Sequence, residues 1–100
     1  MEKQLENISE MENILSSTTD LVQKMGDLLS QWENNIPEFK KLMDYYGSKQ
    51  WHDDIAAFDE GKIPKNLPCG ILSEDGIYNV YGDFRALSIQ LIKAGTSGVE

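Results

Sequence analysis

The sequence predicts an all-α protein, a helical bundle, and three observations carry that prediction. Ile8, Met11, Leu15, Thr18, Val22, Met25, Leu29, Trp32, Ile36, Phe39, Met43 and Tyr46 succeed one another at steps of three and four without a slip, and only Thr18 is polar. That is the apolar seam of a packed helix, the a and d positions of a heptad repeat. Punctuation is sparse, with three prolines and eight glycines, and most of the glycines stand where a helix should stop. The apolar share is 40%, enough for a core and too much for a disordered tail. A chain of 100 residues is the size of one domain, here placed at 1–95.

The first helix is expected over about residues 3–46. Ile14, Leu21, Leu28 and Leu42 each sit one place before a seam residue and widen the stripe. Pro37 interrupts, because its ring meets the carbonyl four residues back and it has no N–H to donate. Asn35 and Glu38 are placed to cap a restarted helix. The apolar phase nevertheless runs through the proline, which favours one kinked, nearly continuous helix over a hairpin. Gly47 supplies a left-handed stop.

Ser48 is a fitting N-cap for a short helix over about 49–60, with Trp51, Ile55 and Phe58 on one face and Gly61 ending it. Residues 61–72 form a loop made unusually apolar by Ile63, Leu67, Ile71 and Leu72, so it is expected to be pinned to the core. Ser73-Glu74-Asp75 opens the last helix, about 74–94, with a hydroxyl cap and two acids at the positive end of the helix dipole. Its apolar residues, from Ile77 to Ile92, spread over roughly 200° of its circumference. So wide a face asks for neighbours on two sides and marks this helix as central. Gly95 is expected to end it, with 96–100 frayed.

Lengths carry a further hint. At 1.5 Å per residue the first helix would extend roughly 65 Å, and the two later helices together only roughly 48 Å. Either the first helix folds back at Pro37, or its apolar residues between Ile8 and Leu29 pack on a second chain. Ile8, Met11, Leu15, Val22, Met25 and Leu29 are therefore the candidate interface, and homodimerisation is the expectation.

Charge narrows the partners. The net charge is −8, and it lies wholly in residues 1–60, which hold 13 acids and five bases; residues 61–100 hold four of each. Such a surface repels a phosphate backbone, so no nucleic-acid partner is expected. No apolar run approaches the roughly 20 residues of a membrane span, and the N-terminal residues lack the pattern of a secretory leader. Cys69 is the only cysteine, which excludes an intramolecular disulfide and favours a reducing compartment, the cytoplasm.

Chemistry finds little support. His52, Asp53 and Asp54 are the one cluster resembling a metal or acid/base site, but consecutive residues point apart on a helix. A metal needs about three converging ligands, and there is no second histidine. No nucleophile elbow, phosphate loop or EF-hand pattern is present. Neither a catalytic residue, a cofactor nor a small-molecule ligand is expected. Trp32, Trp51, Tyr45, Tyr46, Tyr78 and Tyr81 read as core, with interface anchors as the alternative. Arg85, the only arginine, is expected to pair with Asp53, Asp54 or Asp59. The leading function is a protein-interaction or self-associating helical module. An acidic regulator competing with nucleic acid for a basic protein is the alternative, and an enzyme a distant third.

From Tyr45 onward the residues resemble an uncharacterised family of short, acidic, helical proteins from streptococci and related Gram-positive bacteria, classed as a domain of unknown function. Tyr45-Tyr46, Trp51 with Asp53 and Asp54, the run Asp59 to Leu67, and the run Gly70 to Asn79 carry the resemblance. It spans about residues 40–93, and over 1–39 it reduces to a similar acidic heptad helix. The resemblance implies a bacterial, cytosolic, all-α protein and brings no catalytic residue, cofactor or partner.

Overall fold

In the computed structural model, which describes residues 1–100 apart from the Glu74 side chain, the chain is 84% helical, and no strand occurs among the described residues. Three α-helices make up the chain in order: α1, Glu2–Tyr45; α2, Lys49–Asp59; and α3, Glu74–Val99. A single 3-10 turn, Gly70–Leu72, precedes α3. By its internal contacts the chain divides into two compact units, Met1–Met43 and Asp44–Glu100, where the sequence reading placed one domain over 1–95.

α1 runs unbroken through Pro37 for 44 residues. The proline removes one hydrogen bond, the one that would reach the Glu33 carbonyl. Both residues are exposed, so water can take the vacated carbonyl. The heptad phase that continues across the proline is thus matched by continuous helix, and the hairpin is not formed. No residue of α1 is buried.

α1 ends at Gly47, whose φ of +78° is the left-handed turn that a glycine adopts freely. Ser48 then caps α2, its hydroxyl accepting from the Trp51 amide at 3.2 Å. α2 stops at Gly61, also at positive φ. Both stops fall where the sequence placed them, because each glycine is succeeded by residues that start something new.

The small core of residues 44–100 is built around Trp51 and Ile77, 4% and 3% exposed. The Trp51 indole N–H donates to the Ile71 carbonyl at 3.0 Å, and the Tyr46 ring meets the indole edge-on with centroids 5.0 Å apart. Ile63, Cys69, Ile71 and Leu72 are half-buried, so the apolar loop is indeed held down, chiefly through that indole. Leu67 is the exception and stays exposed.

α3 begins against the 3-10 turn. The Ser73 hydroxyl accepts from the Gly76 amide, and the Ser73 amide donates to the Gly70 carbonyl. A Cβ at position 76 would lie 3.0 Å from that same carbonyl oxygen, so the first turn of α3 requires a glycine there to come so close. This approach lies within the run Gly70 to Asn79 that carries the family resemblance.

Two expectations for α3 need correction. The helix does not end at residue 94: it continues to Val99, through the stretch expected to fray. Gly95 keeps a negative, helical φ. A glycine weakens a helix without ending it, and the Thr96 hydroxyl bonds back to the Ile92 carbonyl at 2.9 Å. The wide apolar face is also less covered than a central position requires. Tyr78, Val80, Tyr81, Leu87, Ile89 and Ile92 are all exposed, and among the described residues of α3 only Ile77 is buried.

Candidate interaction surface

A helix repeats every 3.6 residues, so alternating steps of three and four return to nearly the same face. That geometry alone gathers the six candidate residues of α1 on one stripe. Ile8, Met11, Leu15, Val22, Met25 and Leu29 are exposed by between 47% and 66%. Ile14, Leu21 and Leu28 lie beside them and are equally open. Toward the C-terminal end the stripe changes: Trp32, Ile36, Phe39 and Met43 are half-buried.

The polar side of α1 is ordinary helix surface. Lys24 pairs with Asp20 at 2.8 Å, both exposed, and the Thr19 hydroxyl bonds back to the Leu15 carbonyl at 2.7 Å. Such surface pairs contribute little stability. Nine apolar residues between Ile8 and Leu29 are thus exposed on and beside one stripe of α1.

The titratable cluster on α2 is tied up in local structure. Asp53 pairs with Lys49 at 3.3 Å, one helical turn back. Asp54 accepts from the Gln50 amide at 2.8 Å and from the Tyr45 hydroxyl at 2.5 Å. His52 stacks edge-on against Trp51, with centroids 5.1 Å apart. The expected pairing of Arg85 with Asp53, Asp54 or Asp59 is not made among the described residues, where the ion pairs are Lys24–Asp20, Lys49–Asp53 and Lys62–Glu60. No group of three or more His, Cys, Asp or Glu that could hold a metal occurs among the described residues.

The titration of Tyr45 is displaced. The hydrogen bond to the Asp54 carboxylate holds its proton, and desolvation and the nearby negative charge add to this, so its pKa is pushed up to about 12. Sequence reading missed this pair. The two residues are nine apart with a turn between them, and no spacing rule on a single helix connects them.

The aromatics divide. Trp51 is core, Tyr46 and Trp32 are half-buried, and Tyr78 and Tyr81 are exposed. The open strip on α3 was read as core from the sequence.

An all-α fold with an exposed heptad seam defines a class, the all-helical proteins. Within it the chain belongs to the DUF4298 family, a domain of unknown function, whose pattern matches residues 8–94. No curated protein and no solved structure matches the chain. No helix among the described residues is long and apolar enough to cross a membrane.

Proposed function

We propose that this protein is a small self-associating interaction module, which assembles through the α1 face running from Ile8 to Leu29. The observation that supports this is the exposure of the seam from Ile8 to Leu29 on a helix that does not fold back on itself. A helix with its apolar stripe in water gains little from propensity alone, and most of the stability of natural helices comes from packing that stripe. Burial of each Leu or Ile contributes about 1.5–3 kcal/mol, so a covered seam far outweighs an open one. The cytoplasm is the compartment that suits it, since Cys69 is a free thiol.

The test places a charge in the seam. In Leu15→Asp/Val22→Asp, two carboxylates lie where two apolar layers should meet. Wild-type protein should scatter light as an assembly at high micromolar concentration, and the variant as a monomer, with Trp51 still shielded from quenchers. A wild-type monomer, or a variant that assembles as well as wild type, would remove the proposal.

A further inference from the structure

The two flanks of the α1 seam are unlike each other. On one side lie Ile14, Leu21 and Leu28, apolar and exposed. On the other lie Glu12, Thr19, Gly26 and Glu33, which are acidic, small or absent as side chains. The remaining charges of this stretch, Glu2, Lys3, Glu6, Glu10, Asp20, Lys24 and Asp27, fall on the outer face, away from the seam. An acidic helix is therefore not barred from meeting a copy of itself.

Flank composition discriminates orientation. In a parallel pair each apolar flank residue meets the opposite kind of flank five residues on. Ile14 would then face Thr19, Leu21 would face Gly26, and Leu28 would face the Glu33 carboxylate. Within the seam Thr18 would stack on its own copy. In an antiparallel pair, like flank meets like flank. One register alone places all three apolar flank residues on one another, the one in which facing flank positions sum to 42: Leu21 on Leu21, and Ile14 on Leu28. Sliding by one heptad either way puts Leu28 on Asn7 or Ile14 on Asn35.

Resting on the self-association reading, we propose that the occupant of the seam is a second copy of α1, running antiparallel and centred on Asp20. In that register Met11 packs on Leu29, Leu15 on Met25, and Thr18 on Val22, so the one polar seam residue meets a valine and not another threonine. On the far flank Thr19 lies beside Thr19 and Glu12 beside Gly26, so no carboxylate there opposes a carboxylate. The nine open apolar residues of each copy, from Ile8 to Leu29, give the pair a contact along the whole stripe, and a stable interface needs ~800 Å² buried per partner.

Disulfide trapping tests orientation and register together, in a Cys69→Ser background. Leu21→Cys alone should cross-link to itself. An equimolar mixture of Ile14→Cys with Leu28→Cys, one carrying a mass tag, should give the mixed dimer at least tenfold over either self-dimer. Ile8→Cys alone should stay uncross-linked, since its copy lies about 36 Å away along the pair at 1.5 Å per residue. A spin label on the outer face at Glu10→Cys leaves the seam intact and should report a separation of about 30 Å, against less than about 20 Å for a parallel pair. Self-linking of Ile8→Cys with a short label distance would overturn the antiparallel pairing while sparing self-association. A wild-type monomer at the same concentration would overturn both.

Discussion

Leu15 and Trp51 both stand on the apolar faces of helices, yet Leu15 is 62% exposed and Trp51 is 4% exposed. The difference arises from the turns that the neighbouring sequence can supply. Around Trp51 the chain turns twice within a short span, at Gly47 and Gly61, and returns the 61–72 segment to the indole. Around Leu15 it does not turn at all, and nothing local can return. An apolar residue is buried by chain reversal or by another chain, and the distribution of turns decides which. Residues 44–100 contain the reversals, whereas residues 1–43 contain none.

The contrast breaks most sharply at Trp51. Trp51→Ala removes the largest buried side chain together with its bond to Ile71, at a cost of about 3 kcal/mol. Urea denaturation combined with amide exchange should show loss of protection in Gly70–Leu72 and the first turn of α3. The matching change in the other region, Leu15→Ala, should leave the stability of an isolated chain within about 0.5 kcal/mol, because an exposed site loses little packing. A loss below about 1 kcal/mol at Trp51 would mean that the two regions are not held differently after all.

Gly47→Ala sharpens the comparison at its source, the reversal itself. Nothing lies within 4 Å of an added Cβ, so the substitution is free of clash and tests only the backbone. Holding alanine at a φ of +78° should cost about 1–2 kcal/mol. Thermal unfolding should register it, and Gly26→Ala inside α1 should instead stabilise, by up to about 1 kcal/mol. Equal effects at the two glycines would contradict the assignment of a turn to one and helix to the other.

These regions also differ in how much of them was legible beforehand. α1 and α2 lie within a residue of the expected bounds, because heptad phase, Ser48 and two turn glycines are local signals that agree. Ser73 was legible for the same reason, its hydroxyl capping α3 as expected. The end of α3 was not, because Gly95, like Gly47, follows an apolar periodic stretch, and what comes after it decides whether the helix stops. No new element begins after residue 95, and the helix simply continues. Burial was read least well. Periodicity tells which face of a helix is apolar, and Ile92 and Ile77 belong to the same periodic set, yet only one is covered. The apolar stripe from Ile8 to Leu29 was legible because its steps of three and four are regular, and its residues are exposed. The Tyr45–Asp54 contact was invisible, since it depends on the path of the turn between two helices.

That contact yields the smallest predicted effect and the one most specific to the folded turn. Tyr45 keeps its proton in the fold up to about pH 12, held first by the Asp54 carboxylate and then by desolvation. In the unfolded chain the phenol ionises near its ordinary value of about 10. Between those values the unfolded state binds fewer protons than the folded state, so stability falls as pH rises. Below pH 10 both states are protonated and the contribution is fully present. The group is only half-buried, so its contribution is discounted to about 1 kcal/mol or less. Tyr45→Phe should therefore lower the urea midpoint slightly near pH 7, by the equivalent of about 1 kcal/mol or less, and flatten its decline between pH 10 and 12. Absorbance at the phenolate band should show one fewer late-titrating tyrosine in the variant. If wild type and variant lose stability in parallel across that window, the hydroxyl is not held by Asp54 in solution, and the turn at Gly47 brings the two helices together less closely than the fold requires.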